Sequence, residues 1–204
     1  MAHAVGRLEL GGMELTSYLM QLLTERGYAF HSTSDRQIAD DIKETICYVA
    51  LDFAAECASD VPEKEAAYEL PCADVIMVGA ERFRCCELLF QPALMGFEYL
   101  GIQDSIIQSV SECDIDTRGE LFANVVLSGG SSQFPGFAER LTKDLTTLAP
   151  HGTAVNVVAP PSRQYSSWLG GSILASLPVF RSTWISRDEY DEDGPAQVHE
   201  RCAW

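Results

Sequence analysis

The 204 residues are 47% apolar and 22% charged, a soluble globular balance that can bury a core in one large domain or two small ones. Asp and Glu outnumber Lys and Arg 30 to 14, and the net charge of −16 excludes a phosphate-backbone partner, since nucleic-acid binding depends on clustered positive charge; basic partners or divalent cations suit it better. No apolar run approaches the roughly 20 residues that cross a bilayer, and Met1 to Gly6 has neither a basic start nor a long apolar stretch, so the expected location is the cytosol or nucleus.

Arg7 to Leu10 alternates charged and apolar residues, as a half-buried strand does, and Gly11-Gly12 breaks it. The next helix carries Leu15, Tyr18, Leu19 and Leu22 on one face, with Arg26 in its last turn and Gly27 just past its end. A second helix follows Ser32-Thr33-Ser34, where Ser34 and Gln37 have capping-box spacing. Its apolar stripe is Ile38, Ile42, Ile46 and Val49. Lys43 and Glu44 lie off that stripe, facing solvent or a cleft, and spacing alone makes Lys43 a solvated helix residue. A third helix runs from about Asp52 to Ala58, then a polar, proline-containing loop from Asp60 to Lys64. Tyr68-Glu69-Leu70 and Val75 to Val78 form a hairpin around Pro71-Cys72-Ala73-Asp74.

The stretch Leu88 to Gly101 holds eight large apolar residues but is broken by Pro92 and Gly96, too interrupted for regular structure. A helix from Gln103 to Cys113 carries Ile106, Ile107 and Val110. After the motif described next, an amphipathic helix carries Phe137, Leu141 and Leu145, and Ala154 to Ala159 is a β-run. Beyond Ser166 a helix holds Trp168, Ile173 and Leu174 until Pro178 stops it, and the tail from Arg187 is polar. Seven cysteines without a C-x-x-C pair read as reduced thiols; Cys85-Cys86 lacks metal-ligand spacing and a neighbouring His, so its role is structural. The four histidines are scattered, and none is placed for catalysis.

The chain is organised around Val125-Val126-Leu127-Ser128-Gly129-Gly130-Ser131-Ser132-Gln133-Phe134-Pro135-Gly136-Phe137. Apolar β-formers end at Ser128, two glycines permit a tight turn and close approach of a ligand, and Pro135 suits the first position of a helix. Such a turn either cradles phosphate or simply packs a helix on a sheet. With the β-run that follows, strand, helix and strand make a βαβ unit and call for a parallel sheet.

Ser128-Gly129-Gly130 with Phe134-Pro135-Gly136, then Ala159 to Ser166, then Trp168 to Leu177, closely resembles the C-terminal half of actin. Tyr18 to Met20 with Leu23 to Tyr28, Asp41 to Glu44 with Cys47 to Phe53, Glu81 to Cys85 with Phe90-Gln91-Pro92, and Trp184 to Ser186 with Glu189 to Glu192 are similar too. The resemblance implies an α/β fold of the actin, sugar-kinase and chaperone ATPase type. One large subdomain would comprise 3–10 and 99–165, a smaller inserted one 11–98, and C-terminal helices 166–204. It implies ATP or ADP with Mg²⁺ as cofactor, and an adenosine side built from Lys43, Glu44, Gly129, Gly130, Ser131, Gln133 and Phe134, with Gln164 where actin usually has a Lys beside the adenine.

The family's phosphate loops, metal-holding Asp and water-positioning Gln and His have no counterpart here. Phosphoryl transfer depends on electrostatic positioning, so no residue of this chain is assigned as catalytic or as a metal ligand, and the chain alone is expected to be inactive. The likeness further implies a cytoplasmic, cytoskeletal protein whose partners are other actin-family subunits and actin-binding proteins, with no nucleic acid or membrane. Leu88 to Gly101 is either an irregular core loop or the apolar plug that actin subunits press against filament neighbours. The alternative function is an actin-related scaffold module with little nucleotide affinity. An enzyme of the sugar-kinase and chaperone ATPase superfamily fits less well, because the likeness to actin extends through loops those enzymes lack.

Overall fold

A computed structural model describes residues 2–59 and 64–201. The chain divides into two compact units, Met1–Gln164 and Tyr165–Trp204.

In the first unit, α1 (Gly12–Arg26) ends at Gly27 and buries Leu15, Tyr18, Leu19, Leu22 and Leu23. The helix α2 (Thr33–Ile46) is capped by Ser32, not Ser34: the Asp35 amide donates to Ser32 Oγ at 3.1 Å, and the Ser32 amide donates back to Asp35 Oδ2 at 2.7 Å. The reciprocal pair is the same device that the Ser34 and Gln37 spacing suggested, set two residues earlier with an Asp in place of the Gln. After α3 (Phe53–Ala58), β1 (Ala66–Glu69) and β2 (Val75–Val78) pair antiparallel as the expected hairpin. Residues Asp60 to Pro62 and Glu63 of the polar loop lie outside the described residues, while Lys64 is described.

The short helix α4 (Glu81–Glu87) was not foreseen, and it leads Leu88, Leu89 and Phe90 into the core. Thus the 88–101 stretch divides: its first part is core, while Leu94, Tyr99 and Leu100 are exposed. Next come α5 (Ile102–Ser111) and α6 (Ile115–Ala123), the second also unforeseen because its apolar residues do not form a stripe. The parallel pair is β3 (Val125–Val126) with β4 (Val157–Val158), crossed over by α7 (Phe137–Leu148), so the βαβ unit stands as read. One core gathers α1, α2, α4 and α7, with Leu19, Ile42, Leu88, Phe90, Phe137, Leu141 and Leu145 all packed into it.

Arg7 to Leu10 is not a strand. The segment keeps the alternation, with Leu8 and Leu10 half-buried and Arg7 paired to Glu9 at 2.7 Å on the exposed side, but among the described residues no strand lies beside it. Alternation fixes which residues face inward; a ladder also needs a neighbour.

The second unit comprises α8 (Ser166–Ser176), the 3₁₀ turn Pro178–Thr183, α9 (Arg187–Asp193) and α10 (Gln197–Arg201). Pro178 begins the turn that ends α8, and Ser186 caps α9. Arg201 ties α10 back to Glu189 at 2.5 Å and to the Ser182 carbonyl at 2.8 Å.

Candidate functional site

Two glycines set the geometry of the central turn. Gly129 takes φ +92, which an L side chain resists, and puts its amide on the Arg163 carbonyl at 2.9 Å. A 3₁₀ turn, Gly130–Gln133, follows, held as Ser132 Oγ donates to the Gly129 carbonyl at 2.7 Å. Pro135 is therefore not a helix start. Gly136, at φ +81, caps α7 two residues later than the sequence suggested, and only glycine fits there, since a Cβ would sit 2.3 Å from the Val49 carbonyl oxygen. The Val49 amide bonds the Pro135 carbonyl at 2.8 Å, so the segment leaving α2 is stitched to the turn.

Across the turn, Arg163 acts as a clamp. Its guanidinium donates to the Ser132 carbonyl through Nε at 3.0 Å and Nη2 at 2.7 Å, and to the Pro160 carbonyl at 3.2 Å. The loop after β4 and the glycine turn are thereby one piece. Open space lies over both Gly129 and Gly130, where no atom would meet an added Cβ within 4 Å.

The α2 side approaches through Gly12. A Cβ placed on Gly12 would stand 3.6 Å from both Lys43 Nζ and Ser131 Oγ, so helix and turn converge on the start of α1. Lys43 is buried, contrary to the solvated position its spacing suggested. Its ammonium donates to Thr16 Oγ1 at 2.9 Å, to the Gly12 carbonyl at 3.3 Å and to Asp40 Oδ1 in a close ion pair. Three partners for three protons explain the burial: an ammonium leaves water only when paired and hydrogen-bonded. Thr16 lies 2.7 Å from Asp40 Oδ1 and 2.8 Å from the Gly12 carbonyl, either of which takes its single hydroxyl proton. Burial works to raise the Asp40 carboxyl, but the hydrogen bonds from Lys43 and Thr16 outweigh it and hold it below the usual carboxylate value.

Of the sequence-predicted residues, the structure brings Lys43 and Ser131 together and places Gly129 and Gly130 at the open turn. Gln133 is spent on the fold, its Nε2 donating to the Pro161 carbonyl at 2.8 Å. Phe134 is buried in the central core. Glu44 and Gln164 are exposed. Gly12, Thr16, Asp40 and Arg163 were missed. Asp40 alone carried a readable signal, standing three residues before Lys43 on one helix, where opposite charges meet. Among the described residues no group of three His, Cys, Asp or Glu side chains is placed to hold a metal ion.

The first unit is thus a mixed α/β framework in which a parallel βαβ unit carries an open glycine turn beside a helix-borne lysine. The family model described as Actin matches residues 1–203, and the chain belongs to the actin family. No described helix is long and apolar enough to cross a membrane.

Proposed function

We propose that this chain is a cytoskeletal member of the actin family that takes the adenosine end of ATP or ADP, with its Mg²⁺, between α2 and the glycine turn. The observation that carries this reading is the convergence of Lys43 and Ser131 on Gly12, beside open space over Gly129 and Gly130. The cradle supplies backbone groups, a serine hydroxyl and a helix-borne cation, which suit a ribose and the near end of a polyphosphate. Bound metal would be held through the phosphates, since no carboxylate cluster is available for it among the described residues.

The test is thermal unfolding with and without saturating MgATP. At 100 times its dissociation constant, a ligand raises stability by about 2.7 kcal/mol. Lys43→Ala is a poor control because it also removes a structural tie. Gly12→Val, whose side chain fills the cradle while adding only ordinary contacts at Cβ, should abolish the shift.

One observation favours a second reading. All three Lys43 protons are already taken by Gly12, Thr16 and Asp40, so a nucleotide meets a neutralised lysine. A chain that melts cooperatively with no MgATP shift would be a family scaffold module that acts through other actin-family subunits or actin-binding proteins.

A further inference from the structure

The pair Cys85-Cys86, structural by its own spacing, meets a third thiol in the fold. Two hydrogen bonds dock the chain leaving α2 onto the first turn of α4. Arg82 Nε donates to the Ile46 carbonyl at 2.8 Å, and the Tyr48 amide donates to the Arg82 carbonyl at 3.4 Å. Cys47 lies between those two anchors. Cys85 and Cys86 stand three and four residues beyond Arg82, hence one turn along the same face of α4. All three cysteines are free thiols buried in the central core, and those of Cys85 and Cys86 hydrogen-bond to that of Cys47. Cys85 Sγ also lies 3.4 Å from the Leu15 carbonyl, a second acceptor for its proton.

The three thiols are not equivalent. The bonds from Cys85 and then Cys86 hold the Cys47 thiol well below its usual value, outweighing its burial, and the Arg82 and Lys43 cations act in the same sense. The bond to Cys47 pushes the Cys85 thiol well up, and burial does the same to Cys86. The cluster thus sets one thiolate, the nucleophilic form, against two thiols that keep their protons. Cys47 also has a path to solvent. It lines a pocket of about 410 Å³ together with Tyr48, Arg82, Pro135 and Gly136, whereas Cys85 and Cys86 do not line it and have no exposed surface.

We propose that Cys47 is a site of oxidation by hydrogen peroxide entering through this pocket, and that Cys85 resolves it into an intramolecular disulfide joining the end of α2 to α4. The Cys47 sulfur attacks one peroxide oxygen; the O–O bond breaks and hydroxide leaves, taking up a proton to become water. Cys47 is then a sulfenic acid. Cys85 gives up its proton and attacks the Cys47 sulfur, the S–O bond breaks, and the oxygen departs as a second water. Two thiols are oxidised to one disulfide while one peroxide is reduced to two waters. This site is separate from the nucleotide reading and stands or falls without it.

The test treats the full, reduced chain with hydrogen peroxide at about pH 7 and maps its tryptic peptides by mass. A pair linked through Cys47 and Cys85 is expected, released by dithiothreitol. Dimedone should trap a sulfenic acid at Cys47 about tenfold faster than at the exposed Cys57 and Cys72, since an ordinary exposed thiol is little ionised at that pH. Cys85→Ser should abolish the link and leave Cys47 as the dimedone adduct, while Cys86→Ser should keep the link. The map of the parent chain decides the matter if a serine in the core prevents folding. Oxidation of Cys57 or Cys72 ahead of Cys47, a bond between Cys85 and Cys86, a link from Cys47 to Cys86 or to a second chain, or no reaction at Cys47 until urea unfolds the chain would overturn the inference.

Discussion

Lys43 spends its three protons inside the fold, and that decides how it responds to mutation. Lys43→Ala strips partners from Gly12, Thr16 and Asp40 together. Hydrogen bonds to charged groups contribute about 1.5–3 kcal/mol, so urea unfolding should show a loss of about 2 kcal/mol, discounted from a fully buried pair because Asp40 is half exposed. Asp40 brings a pH dependence of definite sign. A carboxyl depressed in the folded state stabilises it above the unfolded pKa, near 3.9, and that contribution fades as pH falls through the lower folded value. Asp40→Asn should therefore lose less melting temperature than the parent between about pH 5 and pH 2; equal losses would show that Asp40 is not the group responsible. The sequence placed Lys43 on the right helix but on the wrong surface, because an apolar stripe counts only apolar residues. A lysine can be buried when Asp40, one turn earlier, and Thr16, on another helix, meet its charge, and the second of these is a tertiary fact.

At the scale of elements, the brace between α4 and α7 carries the larger energy. Arg140 grips Glu87 through Nη1 at 3.0 Å and Nη2 at 2.9 Å, reaches the Ala50 carbonyl at 2.8 Å and Asp144 at 2.7 Å, and lies over the Phe90 ring at 4.7 Å. Glu87 is wholly buried. Removing one partner of a buried pair costs about 3–5 kcal/mol; Asp144 still meets the Arg140 charge, which puts Glu87→Ala at the lower end, and the melting temperature should fall by roughly 10 °C in a chain of this size. A smaller brace joins α2 to β1, where the Tyr68 hydroxyl donates to Asp41 at 2.5 Å. That bond, burial and the nearby charge push the phenol to about 12. A folded pKa raised above the unfolded value, near 10, gives stability that is complete below pH 10 and lost as pH rises through 12. Tyr68→Phe should remove a late step from the tyrosinate absorbance titration and flatten the alkaline limb of the melting curve.

Helices with a strong apolar stripe, α1, α2 and α7, were legible, and so were the hairpin and the βαβ unit. The short α4 and the stripe-poor α6 were not, since contacts with the rest of the chain, rather than their own periodicity, make them helices. The glycine turn was legible as a turn. Its 3₁₀ course was not, because it depends on Arg163 clamping Ser132 from thirty-one residues away.

For the whole molecule, the unit Tyr165–Trp204 carries a consequence of its own. Its helix α8 buries no residue, and Trp168, Leu169, Ile173 and Leu174 are all exposed, with Leu177, Val179 and Trp184 beyond it. An apolar surface of that extent promotes association. Sedimentation velocity should show mass rising with concentration, and Trp168→Glu with Ile173→Glu should suppress it; a monodisperse monomer at all concentrations would contradict the expectation. The net charge of −16 opposes self-association over distance but is screened at physiological salt within about 8 Å, so association should strengthen as salt is added.

The most direct test of the proposed function is the melting temperature of the chain with and without saturating MgATP, measured in parallel on Gly12→Val. An upward shift is expected in the parent, matching about 2.7 kcal/mol at 100 times the dissociation constant, and none in the variant. A parent that melts cooperatively at the same temperature with and without MgATP would contradict it.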